Sequence, residues 1–372
     1  MRACQCAISF FLFVFFFNMT VFGQTDKSFD SIWEETSKEK ETEWHLQEGE
    51  SKRVDAEFER LWQERKAEIE KKWDEALRST KKEWVDYSPS FDARSYVNFE
   101  EGFVEVAAIL STTEKDLVFR SEELIGNQIR KILSRDNPVA ENILADQLEF
   151  EPGQTVTPST VPQFVDETKS KTVIEKKPFV PKDGIPRVKA KVRFYLLPNH
   201  LQIRAKKYFS LVDEYSKKFR VLPELVLAII HTESYFNPLA ISPANAHGLM
   251  QLVPEYGAKD AYRMVYGKDL IVAPNYLYVP RNNIELGCAY LSLLKDISFS
   301  LIQDEIKRRY LVVCAYNWGP GVVTRRIVNR NDVEGMARSD LYQVLRRNTP
   351  DETSNYLKRV TERMKIYEKI FR

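Results

Sequence analysis

The amino-acid sequence predicts an α+β fold overall, a small α+β region followed by a mainly α C-terminal part. Alternating apolar residues in RSYVNFEEGFVEVAAIL and VKAKVRFYLLP read as strands, because successive strand side chains point to opposite faces. From Asn199 onward the apolar spacing turns helical and stays so, through AKKYFSLVDEYSKKF, PELVLAIIHTESYF, NIELGCAYLSLLKDI, RRYLVVCAYN and ETSNYLKRVTERMKIYEKI. A proline-dotted, weakly periodic stretch at about 150–186 separates the two textures and reads as loop or linker. At 372 residues the chain is long enough for two domains with separate cores.

Residues 1–23 place one arginine before an apolar run from about Ala7 to Val21 and end on Gly23, the pattern of a secretory signal peptide. An uncleaved membrane anchor is the alternative, since the run approaches the lower limit for spanning; Asn18 and its shortness weigh against it. Cys4 and Cys6 precede the run, so lipoprotein processing is not expected. The expected destination is the periplasm or cell envelope, across the inner membrane, with membrane association if the leader is retained.

Residues 24–84 are dense in charge and hold five of the six tryptophans. Trp62, Trp73 and Trp84 recur every eleven residues, and Phe58, Trp62, Ile69, Trp73 and Leu77 fall at helical spacings. One long amphipathic helix with a thin aromatic seam is predicted. It is either a coil that binds the membrane surface or other cell-wall proteins, or a charged stalk whose seam rests on the next domain; the stalk is the usual meaning of a solvated charged face. Residues 85–198 are expected to form the small α+β domain: two strands joined through Glu100-Glu101-Gly102, the helix KDLVFRSEELIGNQIRKILSR, the proline-rich loop, and a strand returning to the sheet. Residues 199–372 form the helical part.

Composition excludes several functions. With 55 basic and 54 acidic residues the net charge is +1, so no phosphate-tracking face marks nucleic acid as a partner. Cys288 and Cys314 lie inside apolar helical patterns and are expected as buried free thiols. His45, His200, His231 and His247 sit at no metal-ligand spacing, so neither a metal nor another cofactor is expected.

The stretch HTESYFNPLAISPANAHGLMQLVP delivers Glu233 onto the apolar stripe of Ile230, Ile229 and Val226, in a helix opened by Pro223. A carboxyl packed there loses hydration, which favours the protonated form able to donate at neutral pH. Asn237-Pro238 then stops the helix, so the acid faces a loop near a helix end. Taken alone, Glu233 would more often be a salt-bridge or capping residue. Downstream groups change that: the Ser242 hydroxyl, Gly248 permitting close backbone approach, the Gln251 amide, and Tyr316-Asn317 at the end of an apolar helix.

Glu233-Ser234 with FNPLAIS, GLMQ at Gly248 to Gln251, AYN at Ala315 to Asn317 and ETSNYLKRV from Glu352 to Val360, in that order, resemble the catalytic signature of the soluble-lytic-transglycosylase family. Upstream, SYVNFEEGFVEV and LPNHLQIRAKKYFSLV resemble a membrane-bound, type C branch of these enzymes, so the likeness runs from about Trp84. The resemblance implies a lysozyme-like catalytic domain over residues 199–372 that cleaves the β-1,4 bond between N-acetylmuramic acid and N-acetylglucosamine in peptidoglycan glycan strands, without a cofactor. It implies Glu233 as acid then base, Ser242 as a hydroxyl near the reacting sugar, Tyr316 as a phenol at the reacting centre and Tyr356 near Glu233. Gln251 and its neighbour Met250, together with Asn317 and Glu352, are implied on the substrate side. Trp318 stands where the family has a small residue, and is a sugar platform or a core aromatic covering the loop. His247 is more often a surface histidine than a glycan contact, and Tyr290 is expected in the core. A muramidase that admits water, and a glycan-binding scaffold without turnover, are the rival readings.

Overall fold

The computed structural model describes residues 59–134, 143–144, 146–151 and 153–371. The expected signal peptide at residues 1–23, and the portion of the tryptophan-rich segment before residue 59, lie outside them. A helix, α1, covers residues 59–70 and stops. The expected continuous helix to Trp84 is therefore corrected: residues 71–82 are turn and irregular backbone, and Trp84 lies in strand β1 (Glu83–Tyr87). The eleven-residue spacing of tryptophans is met by burial rather than by helix. Ile69 and Trp73 are buried with Tyr87, Ala107 and Ile109, and the Trp73 indole donates to the Phe91 carbonyl at 2.7 Å.

Strands β2 (Ala93–Asn98) and β3 (Phe103–Ser111) form the hairpin expected through Glu100-Glu101-Gly102. The helix α2 (Leu117–Leu133), capped by the Asp116 carboxylate accepting from the Phe119 N–H, follows. After the short pair β4 (Glu149–Glu151) and β5 (Gln154–Thr155) comes a helix, α3 (Val161–Lys169), then β6 (Val173–Ile174) and β7 (Arg187–Tyr195). The region at 150–186 is thus not a plain loop. Pro162 sits in the first turn of α3, where proline's missing N–H costs nothing, so a helix starts within a stretch expected as loop or linker.

The five-stranded sheet has order β1-β2-β3-β7-β6, antiparallel throughout. On β3, Val104, Val106, Ala108 and Leu110 face a core with Ile125 and Ile129 of α2 and Phe164 and Val165 of α3, while Ala107 and Ile109 face Trp73. Both faces of the sheet are covered, which explains why β3 reads as almost continuously apolar.

Helices α4 (His200–Lys207), α5 (Phe209–Phe219) and α6 (Pro223–Ser234) open the helical part. They are followed by α7 (Lys259–Tyr266), α8 (Pro274–Leu277), α9 (Pro280–Leu293), α10 (Glu305–Trp318), α11 (Pro320–Arg326), α12 (Arg338–Asn348) and α13 (Asp351–Phe371). Helix α6 is its centre: Leu225 to Ile230 are all buried, so it is apolar on every side and packs against α5 and α13. Each such Leu or Ile contributes roughly 1.5–3 kcal/mol when removed from water. Cys288 and Cys314 are free and buried in this core, as expected, and burial pushes both thiols up, Cys314 to about 12. No described helix is long and apolar enough to cross a membrane.

The sheet and the helices share a polar joint. Arg204 of α4, 2% exposed, donates to the carbonyls of Phe99 and Tyr235 at 3.0 Å each and to the Gln147 side chain at 2.5 Å. Its guanidinium also lies 4.9 Å from the Phe99 ring centroid. A guanidinium has five donors in a fixed fork, so it can fasten the hairpin end of the sheet to the residue that caps α6.

Candidate active site

Glu233 occupies the last turn of α6 and is 4% exposed, on the same buried helix as Val226, Ile229 and Ile230. Helix α6 ends because Tyr235 and Phe236 adopt left-handed backbone, with φ of 51° and 61°, before the expected Asn237-Pro238 stop. The turn is held in place: the Ser234 hydroxyl is shared between the Ile230 carbonyl and the Leu249 carbonyl at 2.8 Å, and the Asn237 side chain accepts from the Leu239 N–H. The loop that carries the rest of the site is thereby tied to the acid's own helix.

Gly248 has φ of +76°, and a side-chain carbon there would come within 2.2 Å of the Leu277 carbonyl, so only glycine fits. Two residues on, Met250 is fully buried; its N–H donates to the Asn283 side chain at 2.8 Å, and its carbonyl accepts from the Tyr316 hydroxyl at 2.8 Å. Gln251, with φ of 49°, donates its amide to the carbonyls of Ala240 and Gly248. Its side-chain oxygen is buried with no partner, as is the Tyr356 hydroxyl. Buried orphan polar atoms are uncommon, and each calls for an explanation. Ser242 is 4% exposed, and its oxygen accepts from the Ala246 N–H, leaving its hydroxyl proton to donate elsewhere.

Tyr316 from α10 and Tyr356 from α13 both feel Glu233. Burial, then the Glu233 carboxylate, pushes each phenol well above the usual tyrosine value, so both remain neutral donors. The Tyr356 hydroxyl stands close enough to interact with the carboxylate, and no other group satisfies it. Tyr290 packs its ring on Tyr316 at 5.5 Å between centroids and is partly buried against the helical core.

The remaining candidates lie further from the acid's contacts. Asn317 accepts from the Thr353 hydroxyl at 2.7 Å, which ties α10 to α13. Trp318 ends α10 half-buried against the core, and Glu352 is exposed in the first turn of α13. His247 corrects the expectation of a surface residue: it is 1% exposed, and its Nε2–H donates to the Asn245 side-chain oxygen while Nδ1 accepts from Tyr278. The hydrogen-bond set of one neutral tautomer is complete, so an imidazole fits a place where sequence alone suggested water.

Two residues of the site had no signal in the sequence. Asn283 is fully buried in α9 and, besides accepting from Met250, donates to the carbonyls of His247 and Leu277, so one side chain ties two points of the loop to the end of α8. The other is Lys81, whose ammonium lies 2.9 Å from Glu233 Oε2 across 152 positions of sequence. No residue pattern near Lys81 distinguishes it from the surrounding charges.

Among the described residues no group of three or more His, Cys, Asp and Glu side chains is placed to hold a metal ion. A cavity of about 200 Å³, lined by Arg220, Leu225, Leu291, Lys295 and Arg309, opens at the opposite end of α6 and includes none of the candidate residues.

Comparison with known proteins agrees with the motifs. The transglycosylase SLT domain family model matches residues 210–337, and that of the membrane-bound lytic murein transglycosylase C N-terminal domain matches residues 51–212. The chain is 33% identical over 312 residues to membrane-bound lytic murein transglycosylase C of Salmonella arizonae, covering 79% of this chain and 84% of the relative. It is also 33% identical over 319 residues to the protein of the same name from Klebsiella pneumoniae subsp. pneumoniae, with the same shares. A solved inactive mutant of lytic transglycosylase Slt from Pseudomonas aeruginosa is 30% identical over 44% of this chain, with a TM-score of 0.37, and the match spans 24% of that longer chain. The chain is a lytic transglycosylase, and it belongs to the family of membrane-bound lytic murein transglycosylase C.

Proposed function

We infer that the protein cuts the β-1,4 bond between N-acetylmuramic acid and N-acetylglucosamine in peptidoglycan without water, leaving 1,6-anhydro-N-acetylmuramic acid ends. The observation that supports this most is Glu233 itself, the most deeply buried of three buried glutamates among the described residues and the one whose carboxylate acts on two neutral phenols, Tyr316 and Tyr356. Ordinary glycoside hydrolysis uses two carboxylates, one to protonate the leaving oxygen and one to act as nucleophile or activate water. Here Glu233 gives its proton to the glycosidic oxygen, and the N-acetyl oxygen of the muramyl residue stabilises the electron-poor C1. The C6 hydroxyl of the same sugar then attacks C1 while Glu233 takes back a proton. Intramolecular attack supplies the high effective concentration that a bound water would otherwise have to match. Ser242 donates to the reacting sugar, the orphan Gln251 oxygen accepts from a sugar hydroxyl or amide, and Asn317, Trp318 and Glu352 line the glycan's path; Met250, expected there too, is fully buried in the helical core and serves through its backbone alone. The work is done in the cell envelope, where the polymer lies, and a leader at residues 1–23 suits that destination.

Tyr316→Phe removes the hydroxyl that donates to the Met250 carbonyl. Turnover is expected to fall about tenfold to a hundredfold, as for loss of one preorganised donor, with stability lowered by about 1–3 kcal/mol for the unpaired carbonyl. Initial rates of fragment release together with urea unfolding check this; an unchanged rate would remove Tyr316 from the reacting centre. The function itself is tested by mass spectrometry of digested sacculi. Anhydro ends are expected, and free reducing ends would make the enzyme a muramidase.

A further inference from the structure

The ion pair at Glu233 conflicts with the first chemical step. As the partner of an ammonium, the carboxylate accepts, yet a general acid must hold a proton and donate it. Lys81 is also built to reach this spot. Its turn is pinned to the sheet: the Thr80 N–H donates to the Glu83 carbonyl, and the Phe99 N–H to the Lys82 carbonyl, both at 2.9 Å. Lys82 points its own ammonium at Glu100, 2.6 Å away, and lies 5.2 Å from the Tyr235 ring centroid. Glu100 in turn accepts from the Tyr235 hydroxyl at 2.6 Å, and Arg363 of α13 donates to that same hydroxyl at 2.9 Å. The hairpin end of the sheet is therefore clamped on the residue that caps α6, and Lys81 extends from that clamp to the acid two residues earlier.

The two partners differ in exposure. The Glu233 side chain is 6% exposed and the Lys81 side chain 38%, and Glu233 is the one acceptor Lys81 has among the described residues. The ammonium is thus the half of the pair that solvent, and a charged group arriving from it, can reach. A neutral sugar hydroxyl cannot compete with a carboxylate for an ammonium, whereas another carboxylate can. The muramyl ring whose C1 reacts bears the peptide stem on its lactyl group, and that stem ends in free carboxylates.

We propose, building on the function inferred above, that Lys81 is a positioning and specificity-determining residue: it holds Glu233 as its ion partner in the free enzyme and moves to a stem-peptide carboxylate when substrate binds. Glu233, released from the ammonium, is then available as the acid. The enzyme thereby prefers glycan that carries anionic stems over the same glycan with its charges removed.

The test uses the full-length protein and stem-bearing glycan strands, untreated or with their free carboxyl groups converted to amides. Wild type is expected to lose about fivefold in kcat/KM on the amidated strands, mainly through kcat, the size of an ion pair reaching a partly buried group. Lys81→Met is expected to act on both substrates equally and to exceed wild type on the amidated one, whereas Lys81→Arg keeps the preference. Indifference of wild type to amidation would overturn the proposal, as would equal slowing of Lys81→Met on both substrates with an unchanged urea midpoint. Glu233→Gln serves as the control: its inactivity on both strands leaves the proposed chemistry standing if only the lysine result fails, and turnover by that variant would sink the chemistry as well.

Discussion

Glu233→Gln is expected to lower release of fragments from purified sacculi by about a thousandfold or more while leaving binding to sacculi intact. The loss is that large because one group serves as acid and then as base, and each role contributes roughly a hundredfold to ten-thousandfold. Glutamine keeps the size of the side chain, and its carbonyl oxygen still accepts from Lys81, so the last turn of α6 and its contacts with the loop persist. Binding separates the proposed chemistry from the scaffold alternative: a scaffold would show no turnover in wild type and nothing to lose on substitution. Release at the wild-type rate by Glu233→Gln, with anhydro ends, would move the acid elsewhere in the chain.

A loss of stability in mild acid is the second large effect. Burial pushes His247 down to about 4, and burial with the nearby Arg363 and Arg204 cations pushes His231 down to about 3. His247 donates to Asn245 and accepts from Tyr278, and His231 shares a hydrogen bond with Tyr367 at 3.0 Å. An unfolded histidine takes up its proton near pH 6.5, about two and a half to three and a half units above these folded values. The unfolded chain therefore binds more protons as the pH falls, and stability present above about pH 6.5 drains away toward the folded values. At about 1.4 kcal/mol per pH unit for each histidine, the pair costs roughly 4–5 kcal/mol between about pH 6.5 and 4.5, a large part of a typical domain's stability. Urea midpoints measured across this range should fall steeply, and His247→Gln should flatten the slope by about a third, since His200, pushed down to about 4 by burial and the Arg204 cation, titrates alongside the other two. Parallel curves for wild type and variant would show that His247 already carries its proton in the folded state.

Particular residues show what the sequence made legible. The hairpin through Glu100-Glu101-Gly102, the return strand β7 and the helix α2 were readable because each has one dominant period and, in the hairpin, a turn at a glycine. The family was readable because several spaced motifs stand in register, and the matches over residues 51–212 and 210–337 bear it out. The helix boundary at residue 70 was not, because Trp73 satisfies a helical spacing and a position against the sheet equally well. α3 was hidden by prolines whose cost depends on their place in a turn. Within the site, Glu233, Tyr316 and Tyr356 come together around one carboxylate. Lys81 and Asn283 did not emerge, since a surface-like lysine 152 positions away and an asparagine in an apolar helix acquire their meaning only from tertiary neighbours.

The claim on which the rest depends is that the sugar's own hydroxyl, and no water, completes the reaction begun by Glu233. Digestion of sacculi in water labelled with heavy oxygen tests it directly. No label should enter the new ends, and each fragment should weigh one water less than the hydrolysis product. Heavy oxygen at C1 of the muramyl ends would show that water attacks and would contradict it.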